Sequence, residues 1–156
     1  MSVYKSRRKD AAAEFIQRVR VLRETTLRIL KKFPKNYRYI ITNNMINLVT
    51  EAYTDCIRAN DIYLHKDANP NDYELRHRYL VKAKTSIDAL LSEMTFLYNM
   101  VEGGENFLHK NKDKIFENWS KAALSANEFV KAIINSDNQR WANYQQKRKK
   151  KAEEGN

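Results

Sequence analysis

Four stretches of this sequence set apolar residues three and four positions apart, the spacing that lines one face of an α-helix. The first, residues 10–33, carries Phe15, Val19, Leu22, Thr26, Ile29, Leu30 and Phe33 in one stripe. The second, residues 37–64, aligns Ile41, Met45, Leu48, Ala52, Cys56, Ala59 and Tyr63. The third, residues 72–102, aligns Tyr79, Leu80, Ala83, Ile87, Leu90, Met94, Leu97 and Val101. The fourth, residues 112–135, aligns Ile115, Phe116, Trp119, Ala123, Ala126, Phe129, Val130, Ile133 and Ile134. An all-β chain needs frequent turn residues. Here there are only three glycines and two prolines in 156 residues, so the fold class is all-α.

The breaks between the stripes carry their own signals. Pro34 disfavours the α conformation at Phe33 and ends the first helix, and Asn36 is placed to cap the second. Residues 65–72 read as a connector, with Pro70 barring helix and Asn71 or Asp72 available as the next cap. Gly103 and Gly104 end the third helix, and residues 105–112 form a polar link. Residues 136–139 (Ser, Asp, Asn, Gln) interrupt the last pattern, so the remaining C-terminal segment reads as a short helix or a frayed tail. Helices of about 24–30 residues span ~36–45 Å. Joined by short links, four of them predict an antiparallel, up-down-up-down four-helix bundle over residues 1–138, followed by a basic tail over residues 139–156. A chain of this length buries roughly 70% of its unfolded surface, so it needs neither disulfide nor metal to complete a core.

The charge is unevenly placed. Residues 1–38 hold 12 Lys and Arg against three acids, residues 39–138 hold 11 against 14, and residues 139–156 hold six against two. A slightly acidic body with a basic first helix and tail points to an anionic partner. At 100° per residue, Arg20, Arg28, Lys31 and Lys32 fall opposite the apolar stripe of the first helix, with Arg23 at the margin. Arg7 and Arg8 precede them, and Lys35 and Arg38 come after. Glu14 and Glu24 are too few to neutralise such a face, and its ~35 Å length suits a phosphate backbone, where each neutralised phosphate also releases counterions. In the tail, Arg140, Lys147 and Arg148 are interleaved with Trp141 and Tyr144. That mixture suits stacking on unpaired bases while phosphates are held; packing of the two aromatics on the bundle end is the competing reading.

Other chemistries are thinly supported. Glu74 and His77 form one Glu-x-x-His step, but a di-iron bundle needs a second step and further inward carboxylates, and the expected seams carry no Asp or Glu. His65 and His109 fall in links. Cys56 lies on the apolar seam, where a small buried residue is expected. No glycine-rich phosphate loop or nucleophile elbow occurs, so neither enzymatic activity nor a cofactor or metal is expected. The Thr42, Asn43, Asn44, Asn47 and Thr50 surface of the second helix is either solvated or a polar protein interface. No apolar run reaches the ~18 residues of a membrane span, the charged start lacks a signal-peptide core, and a lone cysteine fits a reducing, cytoplasmic setting.

The stretch Lys31, Lys32, Phe33, Pro34, Lys35, Asn36 and Tyr37 between two amphipathic helices is one of three segments with a familiar pattern. The others are the opening residues 1–8 and the segment Asp72, Tyr73, Glu74, Leu75, Arg76, His77, Arg78, Tyr79 and Leu80. Through them the chain, over roughly residues 1–135, resembles the accessory variability determinant proteins of diversity-generating retroelements. These are similar in turn to the four-helix-bundle proteins encoded in ribosomal-RNA intervening sequences. The resemblance implies a non-enzymatic bundle that forms a homo-oligomer, a pentameric ring. It implies binding of RNA, or an RNA/DNA hybrid, and association with the element's reverse transcriptase in mutagenic cDNA synthesis from a template RNA. It carries over to Arg20, Arg23, Arg28, Lys31, Lys32, Arg76 and Arg78; the charge pattern adds Arg7, Arg8, Arg140, Lys147 and Arg148 as nucleic-acid contacts. A structural protein–protein adaptor without nucleic-acid binding is the alternative. Membrane binding ranks last, because the basic face lacks large apolar side chains to insert.

Overall fold

The first stripe lies along helix α1, Val3–Leu30, where Phe15, Val19, Leu22, Thr26 and Leu30 are buried. The computed structural model describes residues 3–33, 35–37, 41–101 and 110–154, and the side chains of residues 14–33, 35, 37, 41–101 and 110–153. Among these residues there are four long helices and no strand. Helix α1 starts seven residues before the expected position and stops at Leu30. Its last turn tightens through i→i−3 bonds, Lys32 N–H to Ile29 O at 2.9 Å and Phe33 N–H to Leu30 O at 3.1 Å. Phe33, 2% exposed, is thereby turned into the core just before the proline.

The second helix is shorter than its pattern. An isolated turn, Lys35–Tyr37, takes up Asn36, which therefore does not cap the second helix. Ile41 and Thr42 form a π-type turn that leads into α2, Asn43–Asp61. Met45, Val49, Ala52, Asp55, Cys56 and Ala59 are its buried face. Two expectations fail here. Asp55 is buried despite its charge, and Tyr63 is 75% exposed. The helix ends two residues before Tyr63, so a 3.6-residue period no longer says where that side chain points.

Pro70 starts α3, Pro70–Met100, instead of barring it. Asn69 is the cap: its side-chain oxygen accepts from Asn71 N–H at 3.0 Å. Proline suits the first helical position because the N–H it lacks has no intrahelical partner there. Arg76, Leu80, Ala83, Ile87, Leu90, Met94 and Leu97 form the buried face. Gly103, Gly104 and the rest of the link to residue 109 fall outside the described residues.

Helix α4, Lys112–Glu154, is a single run of 43 residues, ~64 Å at 1.5 Å per residue. Residues 136–139 do not break it. Asp137 continues the inward positions Val130 and Ile134 and is 3% exposed, so the polar stretch contributes a buried charge at a seam position and the segment beyond remains helical.

Each helix packs on two others: α1 and α3 each contact both α2 and α4. The shared interior is one apolar cluster, with Ala52, Ala59, Ala83, Ala123 and Ala126 allowing close approach and Phe15, Leu22, Ile87, Leu90 and Trp119 filling the space between. Each large side chain contributes about 1.5–3 kcal/mol on burial. A polar bond crosses this interior: Trp119 Nε1–H donates to Thr26 Oγ1 at 2.8 Å, with both residues fully buried. No helix among the described residues is long and apolar enough to cross a membrane. Thr26→Val keeps the shape but leaves the indole N–H unpaired, and a loss of about 1–3 kcal/mol in urea unfolding is expected; Trp119→Phe in the Thr26→Val background should make the valine change nearly neutral.

Candidate nucleic-acid interface

At the end of the bundle where α2 stops and α3 begins, the most constrained charge is Arg76. Its Nε pairs with the carboxylate of Asp137, and one terminal nitrogen donates to the carbonyls of Ala59 and Ile62, the latter at 3.0 Å. Ala59 O, in the last turn of α2, also accepts the Ile62 N–H at 3.3 Å, and Ile62 follows the helix end; the planar guanidinium reaches both carbonyls and Asp137 together. Arg76 is thus a buried junction of α2, α3 and α4. This corrects its expected place on an RNA-facing surface: its Nε and one terminal nitrogen bond internally and it is 9% exposed. Arg78, two residues on, is exposed on α3.

Helix α1 does not present one uninterrupted basic face. Arg20 Nε donates to Glu24 at 2.9 Å and Arg18 pairs with Glu14 at 3.1 Å, so each acid offsets a base one turn away. Arg23 is half-buried, its guanidinium 5.3 Å from the ring centre of Tyr53 on α2. Beyond Glu24, Arg28, Lys31, Lys32 and Lys35 are exposed, and among the described residues no acid pairs with Arg28, Lys31 or Lys35. The side chains of Arg7 and Arg8, on the first turns of α1, lie outside the described residues.

The second basic group sits on the far part of α4. Arg140 is 3.8 Å from Asp137. Arg148 donates to the carbonyls of Lys66 and Ala68, at 3.3 and 2.7 Å, and so ties α4 to the α2–α3 loop. Lys147, Lys149, Lys150 and Lys151 are exposed. Trp141 is not a free stacking surface. Tyr73 lies parallel to it at 4.9 Å and 5°, and the Arg148 guanidinium is 5.6 Å from its ring centre. Tyr73 also bonds Asn138 and stacks on His77 at 5.7 Å; burial first, then the Asp137 charge, raises its phenol above the ordinary value. Packing on the bundle is the reading of Trp141 that holds. The two basic groups are far apart: Trp119, which meets Thr26 two residues before Arg28, and Lys147 are separated by ~42 Å along α4.

The other candidates hold little reactive chemistry. Among the described residues no group of three or more His, Cys, Asp or Glu is placed to hold a metal. Glu74 is exposed, while His77 is half-buried against Tyr73. An open groove of about 540 Å³ between α2 and α3 is lined by Thr50, Thr54, Arg58, Lys82, Thr85 and Ser86, among others, and Arg58 there is bonded to Asp55 at 3.1 Å. Asn43, Asn44 and Asn47 are exposed as the polar helix surface required, but Thr42 is buried. The long-range roles of Arg76, Asp137 and Arg148 had no local signal, because each depends on a partner 60 or more residues away.

Both Arg76 and Cys56 have measurable consequences. Arg76→Ala strands a buried carboxylate and should cost about 3–5 kcal/mol in urea unfolding, whereas Arg76→Met with Asp137→Leu should recover most of it. Burial, reinforced by the Asp55 charge, pushes the Cys56 thiol from 9.0 up to about 12. Because the thiolate is the reactive form, native protein at pH 8 should react with a disulfide reagent only as it opens. The unfolded thiol ionises first, so this contribution to stability is full below pH 9 and falls as pH rises toward about 12. Cys56→Ala should remove that part of the alkaline decline in the urea midpoint.

No family model matches this chain, and neither a curated protein nor a solved structure matches it.

Proposed function

We propose that this protein is a non-enzymatic, RNA-binding accessory protein of a diversity-generating retroelement, assisting its reverse transcriptase in mutagenic cDNA synthesis from a template RNA. The observation that carries the reading is the set of exposed bases without an acidic partner among the described residues. They include Arg28, Lys31 and Lys35 near one end of the bundle, Arg78 on α3, and Lys147, Lys149, Lys150 and Lys151 along the far part of α4, with Lys66, Lys82, Lys110, Lys114 and Lys131 placed singly elsewhere. Such side chains remain available to phosphates, and displaced counterions supply the free energy of contact. The charges support a polyanion; RNA, or an RNA/DNA hybrid, and the reverse transcriptase come from the resemblance carried by residues 1–8, 31–37 and 72–80.

The bundle is read as antiparallel and up-down-up-down. Supporting this, Thr26 meets Trp119 while Arg18 meets Phe129, Arg23 meets Tyr53, Arg58 meets Tyr79 while Asn44 meets Glu93, and Tyr98 meets Asp113 while Tyr73 meets Asn138. A homo-oligomeric ring, pentameric by the same resemblance, repeats both basic groups around an axis and multiplies weak contacts through avidity. A cytoplasmic setting fits the single buried, unpaired Cys56. The adaptor reading has one observation in its favour: Phe96 and Met100, one turn apart on α3, are 51% and 48% exposed.

Filter binding of a structured RNA across a salt series tests the proposal. Affinity should fall linearly on a log–log plot, and Arg28→Ala with Lys31→Ala should reduce the slope by about two, roughly one per phosphate contact. Absence of RNA binding at about 50 mM salt would favour the adaptor. A reverse-transcriptase gene beside near-duplicate repeats identifies the element, and a neighbourhood without one removes the retroelement half of the reading.

A further inference from the structure

The loop between α2 and α3 holds an aromatic ring in water. Tyr63 is 75% exposed, yet its neighbours are anchored: Leu64 is 4% and Ala68 1% exposed. The Ile62 carbonyl is held by Arg76 at 3.0 Å, and the carbonyls of Lys66 and Ala68 are held by Arg148. Inside the loop, Asp67 N–H donates to His65 Nδ1 at 3.1 Å and Ala68 N–H to His65 O at 3.0 Å. The His65 ring lies nearly parallel to Tyr63 at 6.0 Å and 22°. Two arginines and two buried side chains therefore fix a backbone that projects Tyr63 outward, backed on one side by an imidazole.

Among the described residues, cations face five other rings. Arg23 faces Tyr53, Arg58 faces Tyr79, Lys112 faces Tyr98, Arg18 faces Phe129 and Arg148 faces Trp141. No such cover reaches Tyr63 among the described residues. Bases are nonetheless close in the structure. Lys66 is in the same loop, and the Arg148 that bonds this loop carries Lys147 beside it and Lys151 one turn on, all three lysines exposed. Asp61 and Asp67 are exposed in or beside the loop as well, so phosphate is favoured on the α4 side.

We infer that Tyr63, backed by His65, is a stacking platform for an unpaired base of RNA, with Lys66, Lys147 and Lys151 meeting the flanking phosphates. Every base has a π-face, so such a platform selects single strands without reading sequence. The inference rests on the RNA-binding reading and adds the class of RNA: unpaired segments at this end, alongside phosphates of structured RNA elsewhere.

Fluorescence anisotropy with the full chain, using a short oligoadenylate and a blunt-ended hairpin as probes, separates the possibilities. Tyr63→Ala should weaken oligoadenylate binding about tenfold and leave the hairpin unchanged, while Tyr63→Phe, which keeps the ring, should bind both as the parent does. The side chain is exposed, so thermal unfolding of Tyr63→Ala should match the parent. Oligoadenylate affinity in Tyr63→Ala within about twofold of the parent, or an equal loss on the hairpin, overturns the platform. Parent protein that binds the hairpin but not oligoadenylate overturns the platform alone; parent that binds neither overturns RNA binding as well.

Discussion

The buried guanidinium of Arg76 joins three helices that also share the apolar core. It closes the carbonyl end of α2, sits one and a half turns into α3, and holds Asp137 of α4. A buried ion pair is poor at adding net stability, because desolvation offsets attraction, but its loss on one side is costly. Beyond Asp137, α4 continues as one helix through the polar stretch, Trp141 lies parallel to Tyr73, and Arg148 reaches the α2–α3 loop.

The interior explains why function is sought outside. Apolar side chains from all four helices meet in one cluster, and the bond from Trp119 to Thr26 satisfies a donor that would otherwise be stranded between α1 and α4. Cys56, the one thiol, is in the same cluster and is held protonated by its burial. Chemistry that needs water or a substrate has little to work with there.

On the surface, the positive charge divides into cations used by the protein and cations left over. Glu14 and Glu24 offset Arg18 and Arg20 at neighbouring turns, where exposed pairs add only a few tenths of a kcal/mol. Guanidinium groups lie over the rings of Tyr53, Tyr79, Phe129 and Trp141, a weak attraction that also packs the arginine stems. Of the face that reads as continuous on the first helix, Arg28 and Lys31 keep no acidic partner among the described residues, and exposed lysines recur on the far part of α4.

The helical class, the stripes and most core residues were legible in the sequence because helix periodicity is local: Phe15, Leu22, Leu80, Ile87, Trp119 and Val130 sit where a 3.6-residue repeat puts them. So was the concentration of bases in the first helix and tail, since charge is additive along a chain. The sequence did not disclose that Pro70 opens a helix, that Arg76 and Asp137 meet in the interior, or that Tyr63 stands in water while Trp141 is covered. Each of those depends on a partner or an end-point in the folded structure. A buried charge is tolerable only with its counterpart in place, and an aromatic beyond a helix end points wherever the anchored backbone sends it. Local pattern thus determined which residues form helices and which faces are apolar. Tertiary packing decided which charges and rings remain available to a partner.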